Sequence, residues 1–150
     1  LQAENDYNHR KLNEARANYE LIRSIYPDNE AAFKKATFEI ATIDNELENY
    51  HDAESEYRVF YKLWPNDPDS EKALFSRAFV LSENLKNDSL ALPLFKDFIT
   101  KYPKSELKES VEWLIKNIES NGKLAQELVE KISKIEETDS LGSISDKKAE

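Results

Sequence analysis

Cysteine and methionine are absent from this 150-residue chain, glycine occurs only twice, and no apolar run is long. Without cysteine there is neither a disulfide framework nor a thiolate metal site. The compartment stays open, because a reducing cytosol and an oxidising periplasm both accept a chain without cysteine. With glycine only at Gly122 and Gly142, the tight positive-φ turns of a sheet-rich fold have few residues to make them. No segment approaches the ~20 apolar residues that a helix needs to span a bilayer. Positive charge is not concentrated either: 21 basic residues are scattered among 30 acidic ones, for a net charge of −9. Displacing counterions from nucleic acid, or adsorbing on anionic lipid, requires a basic face. Neither is expected here, although acidity favours a basic partner.

What is abundant is Ala, Leu, Glu and Lys, the residues of helices, and the length suits one domain with a sizeable core. The expected fold class is all-α. The chain opens Leu1-Gln2-Ala3-Glu4-Asn5-Asp6 without the charged-then-apolar pattern of a signal peptide. The expectation is a processed chain or a fragment, whose anchor or signal, if any, lay upstream.

Aligning the prolines exposes a repeat. Pro27, Pro65 and Pro103 stand 38 residues apart, each preceded by an aromatic residue, Tyr26, Trp64 or Tyr102. Twelve residues before each proline is an alanine: Ala15, Ala53 and Ala91. Tyr19, Tyr57 and Phe95, then Ile22, Phe60 and Phe98, recur between them. The spacing i, i+4, i+7, i+11 makes one stripe of a 3.6-residue helix. The alanine lets a neighbouring helix approach, the aromatics fill space farther along, and the proline ends the helix. Polar segments after each proline, such as Asp28-Asn29-Glu30 and Lys104-Ser105-Glu106, supply acceptors for the next helix start.

A second helix occupies the rest of each period. Phe33, Ala36, Ile40, Ile43 and Leu47 form one apolar stripe; Leu74, Ala78, Leu81 and Leu85 form the next; Leu107, Val111, Leu114 and Ile118 form the third. Each unit therefore reads as helix A, a turn, helix B and a proline stop, which is a solenoid. A last helix over about 123–135, with Leu124, Leu128, Ile132 and Ile135, is expected to cap the stack. The expected domain is 1–136, with a polar, flexible tail at 137–150. Pro93 should fall in the first turn of its helix, which should begin no earlier than about Asp88.

At these residues the chain resembles the tetratricopeptide repeat family, whose second helix carries a small residue, an aromatic four on and a proline twelve on. Ala15/Tyr19/Pro27, Ala53/Tyr57/Pro65 and Ala91/Phe95/Pro103 match that pattern. The first helix matches less well: Ala41 can take the small-residue place, but the usual tryptophan and glycine are not evident, and the period exceeds the usual 34 residues. An aromatic before proline, and phrases such as Phe98-Ile99-Thr100-Lys101-Tyr102-Pro103-Lys104-Ser105, are similar to repeats of bacterial envelope proteins. Those include BamD-like outer-membrane assembly lipoproteins and the periplasmic protein that works with Tol–Pal. The resemblance spans about residues 12–118. It implies a right-handed α–α superhelix of about three and a half helix pairs, plus the cap. It also implies a non-catalytic adaptor for protein partners in a bacterial periplasm, with any lipid anchor upstream.

Chemistry-bearing motifs are otherwise lacking. His9 and His51 are the only histidines, and their spacing suits no metal ligand set. Asn66-Asp67-Pro68-Asp69-Ser70-Glu71 lacks the glycine and distal glutamate of a calcium loop and reads as a capping turn. Carboxylates abound, but no nucleophile motif or glycine-rich loop accompanies them. Asn87-Asp88-Ser89 matches a glycosylation sequon and reads more simply as a helix cap. No catalytic residue, cofactor or metal is expected.

Phe38, Phe75, Phe79 and Trp113 lie off the main stripes of their A helices. In such solenoids the A helices line the concave face, so these four are candidates for an apolar strip that takes a partner segment. Lys34 and Arg77 are candidates for pairing with a partner's acidic groups. The plainer alternative is that the A helices bury two faces and the lysines are merely solvated. Two other functions stay open: a structural subunit buried within a larger secretion or assembly complex, and a cytosolic adaptor of the chaperone-binding type. The latter needs Lys, Arg and Asn projecting together from successive A helices, and no convincing set is present.

Overall fold

The computed structural model describes residues 2–120, 126–127 and 129–135. Six α-helices follow one another: α1 Gln2–Ile25, α2 Glu30–Glu46, α3 Tyr50–Leu63, α4 Ser70–Phe79, α5 Asp88–Lys101 and α6 Lys108–Glu119. Among the described residues there is no strand. Short connections fold each helix back onto its predecessor, and the principal contacts run between helices consecutive in sequence. The architecture is an all-α solenoid of the tetratricopeptide type, with α2–α3 and α4–α5 as two A–B pairs flanked by α1, a B helix, and α6, an A helix.

The polar segments after the prolines hold the turns into the A helices. Asn29 caps α2, accepting the N–H of Ala32 at 3.0 Å. In the turns just before α4 and α6, Asp67 accepts the N–H of Asp69 and Ser105 that of Leu107, both at 3.0 Å. The turns between A and B helices recur too. Glu48 and Lys86 adopt left-handed backbone with φ of 62° and 53°, so non-glycine residues hold the conformation that glycine usually takes after a helix.

Helix A of the second pair departs from the period. Phe38 lies eleven residues after Pro27, whereas Phe75 lies ten after Pro65; Ala53 then follows Phe38 by fifteen, and Ala91 follows Phe75 by sixteen. The missing residue is restored by a π-helical turn, Val80–Asn84, at the end of α4. There Leu85 N–H donates to Val80 C=O, five residues back, at 2.9 Å. A π-turn is how a helix absorbs one extra residue without losing its direction. Sequence periodicity alone does not reveal it, because the two shifts cancel.

The B-helix stripes form the core. Ala53, Tyr57, Phe60, Ala91, Phe95 and Phe98 are buried, together with Ala36, Ile40, Ala41, Ala73, Leu74, Ala78 and Val111 from the A helices. One buried cluster joins α2, α3 and α4, and another joins α4, α5 and α6. The Tyr57 hydroxyl hydrogen-bonds toward Thr42 and Ser76, and burial raises its pKa. Three expectations need correction. Tyr26 is exposed, whereas Trp64 at the same register packs on Phe33 and Phe60; no described helix stands before α1 to supply a counterpart of Phe33. Tyr19 and Ile22 are half-buried for the same reason. Pro93 is the sixth residue of α5, beyond the first turn. It and Ser89, whose carbonyl it would otherwise clash with, are both exposed, so water can serve that carbonyl.

Residues 126, 127 and 129–135 are helical, as the period suggests, yet every side chain described there is exposed. Leu124, Leu128 and the 137–150 tail lie outside the described residues.

Candidate functional site

The six candidates from the A helices separate into three groups. Phe38 packs edge-on against Tyr57 and Phe60, with ring centroids 6.1 and 5.1 Å apart, and Lys72 Nζ lies 5.4 Å from its outer face. It joins α2 to α3, half-buried against the core cluster. One side of the ring is thus taken up by α3, and Lys72 of the next A helix approaches it, so Phe38 lies apart from the other three aromatic candidates.

Lys34 and Arg77 serve internal ion pairs. Lys34 Nζ lies 2.5 Å from Asp67 Oδ2, tying α2 to the turn before α4. This hydrogen bond holds the Asp67 carboxyl below its ordinary range, with the Asp69 N–H adding to the effect. Arg77 Nε donates to Glu54 Oε1 at 2.8 Å and ties α4 to α3. Both cations are partly shielded and already neutralised, so neither is presented as an unpaired charge for a partner.

Phe75, Phe79 and Trp113 are brought together. Phe75 is half-buried, 6.0 Å from Phe98 and 5.7 Å from Phe79 between ring centroids. Phe79 is 40% exposed and Trp113 59% exposed. They line a cleft of about 550 Å³ between α4 and α6, completed by Leu107, Leu114, Glu109 and Ser110. The last four were not singled out from sequence. Leu107 and Leu114 were assigned to an apolar stripe, and only the packing of α6 beside α4 shows that they also border the cleft. Large apolar side chains exposed next to one another, with a carboxylate and a hydroxyl at the rim, form the kind of groove that takes the apolar face of a helix or extended segment.

The remaining candidates do not converge. His9 and His51 are exposed on α1 and α3, and no cluster of three His, Cys, Asp or Glu among the described residues has a metal-holding arrangement. No described helix is long and apolar enough to cross a membrane. Sequence reasoning also missed a buried ion pair. Asp44 is fully buried and receives Arg16 Nε at 2.7 Å and Nη2 at 3.0 Å, with Asn49 Nδ2 at 3.2 Å. The bond to Asp44 is the main influence on the Arg16 pKa, which is raised. Asp44 sits one period before Ser82, which donates to Asp88 Oδ1 at 2.8 Å. A polar residue recurring inside an A-helix stripe was the available signal.

The family model described as a tetratricopeptide repeat matches residues 72–105. That span begins in α4, crosses the π-turn and α5, and ends two residues past Pro103. It contains Phe75, Phe79 and Arg77 as well as the Ala91/Phe95/Pro103 signature. No curated protein matches the chain. Repeats of this family are generally non-catalytic and mediate protein–protein interaction. Residues 72–105 are thus similar to a tetratricopeptide repeat, and α2–α3 carries the same alanine and aromatic pattern one period earlier.

Proposed function

We propose that the chain is a non-catalytic adaptor that holds an apolar segment of a partner protein in the cleft between α4 and α6. The observation that carries this reading is the exposure of Phe79 and Trp113 on opposite walls of one cleft, over the half-buried Phe75. Leaving these two rings partly in water forgoes a share of the roughly 1.5–3 kcal/mol that fully burying a large apolar side chain is worth, and a partner would recover that share. The pairing of Lys34 with Asp67 and of Arg77 with Glu54 favours apolar anchoring over a carboxylate clamp of the chaperone-binding type. The similarity to envelope repeats supports a place in bacterial envelope assembly, on the periplasmic side, with outer-membrane or periplasmic partners.

The test replaces Phe79 or Trp113 by a photocrosslinking residue in the native cell, with Val59 and Leu63, exposed on α3, as control positions. The expected result is one partner crosslinked from the two cleft positions and not from α3. Its affinity for the purified Phe79→Ser/Trp113→Ser chain should fall at least tenfold, about 1.4 kcal/mol or more, with helicity unchanged. Equal crosslinking from both faces, or unchanged affinity, would remove the cleft from the function. A partner of cytosolic origin would remove the envelope placement alone.

A further inference from the structure

The cleft between α4 and α6 has apolar walls and a single charge. Of the residues that line it, only Glu109 is ionisable. Glu109 is exposed in the first turn of α6, and its carboxylate has no hydrogen bond or ion pair among the described residues. Carboxylates between other helices are engaged: Asp44 holds Arg16, Glu56 holds Arg23, Asp67 holds Lys34 and Glu54 holds Arg77.

None of the cations on the two walls pairs with Glu109. On α4, Lys72 Nζ lies 5.4 Å from the Phe38 ring, and Arg77 donates to Glu54. On α6, Lys108 pairs with Glu112 at 3.9 Å. Lys116 follows Trp113 by three residues, on the far side of the ring from Glu109 along the helix, and does not line the cleft.

Glu109 and Trp113 stand four residues apart on one helix, which sets their Cβ atoms about 6 Å apart. Trp113 is 59% exposed. A guanidinium set between them pairs with the carboxylate while its flat face rests on the indole, beside an apolar wall that displaces water. An ammonium gains the charge attraction with less of the stacking. Phe75, Phe79 and Leu114 remain for an apolar anchor.

On the cleft reading given above, we propose that the partner segment is basic as well as apolar. An aromatic or aliphatic anchor enters between Phe79 and Trp113, and an arginine beside it rests on Trp113 and pairs with Glu109. The separation of about 6 Å sets the spacing of anchor and arginine: three or four positions in a helical segment, two in an extended one. An acidic segment would bring like charges together, so this cleft selects the opposite charge from a carboxylate clamp.

A random peptide library displayed on phage and selected on the full chain tests the proposal, once binders of the Phe79→Ser/Trp113→Ser chain have been removed. The expected binders carry an apolar anchor with arginine, less often lysine, at that spacing. For one synthetic binder, fluorescence anisotropy should show roughly tenfold weaker binding to Glu109→Lys, where like charges meet, with helicity unchanged. Glu109→Gln should weaken it about threefold, the scale of an exposed ion pair. A twin peptide with glutamate in place of its arginine should prefer the Glu109→Lys chain to the wild type. Glu14→Lys makes the same change in net charge from an exposed position on α1, outside the cleft lining. Salt screens it, and affinity should stay within about twofold. Binders that need Phe79 and Trp113, yet show no basic preference and tolerate Glu109→Lys, overturn this inference and leave the cleft as a binding site. An equal loss from Glu14→Lys overturns it as well, since net charge alone would then explain the preference. A library with no binder that depends on Phe79 and Trp113 overturns the cleft reading itself, and this inference with it.

Discussion

Asp44 has no surface in contact with water, and Arg16 approaches its carboxyl with two nitrogens from the preceding helix. A buried pair of this kind adds little over an apolar pair, but breaking it from one side is costly. The Arg16→Ala chain would keep Asp44 in place with only Asn49 as a side-chain donor. A loss of about 3 kcal/mol is expected, measured by urea unfolding, and Asp44→Ala/Arg16→Ala should recover part of it. A double variant no more stable than the single one would show that the pair contributes through packing instead. At this scale the sequence was only partly informative. Nothing in the spacing of Arg16 and Asp44, 28 positions apart, announces their contact.

Among the elements, the B helices were legible because one physical requirement shapes each of them. A helix held between two neighbours needs a small residue where backbones approach and large ones where they diverge, and proline where it must stop. Ala53 and Ala91 have no exposed surface, as close-approach sites require. Ala53→Trp is therefore expected to destabilise by at least about 3 kcal/mol in thermal or urea unfolding, since overpacking displaces backbone as well as side chains. The equivalent Ala15→Trp on the half-open α1 groove should cost far less; equal losses would mean that the groove is closed in solution. The A helices were less legible. Their aromatics lie off the main stripe whether they face a neighbour, like Phe38, or the cleft, like Phe79 and Trp113, and one helix face does not distinguish the two. The π-turn at Val80–Asn84 was hidden because the local shift and its compensation preserve the 38-residue period.

For the whole molecule, neighbour-only contacts make stability a chain of local terms. α2, α3, α4 and α5 are each packed on both sides by flanking helices, whereas α1 has a half-open face and α6 keeps Trp113 in water. Native-state hydrogen exchange should show the slowest amides in α2 to α5 and faster ones in α1 and α6. Uniform protection across all six helices would mean that the stack opens only as a unit and that its ends are as stable as its centre.

Composition and period were enough to determine the all-α class, the alternation of A and B helices, the proline stops and most of the buried stripe. Those features depend on backbone propensity and on 3.6-residue spacing, both local in sequence. Which A-helix aromatics are covered, which lysine and arginine are already paired, and where a cleft opens were decided only when α4 came to lie beside α3 and α6. Each depends on what a neighbouring helix brings to the contact, and one helix's own spacing carries no record of its neighbour's side chains.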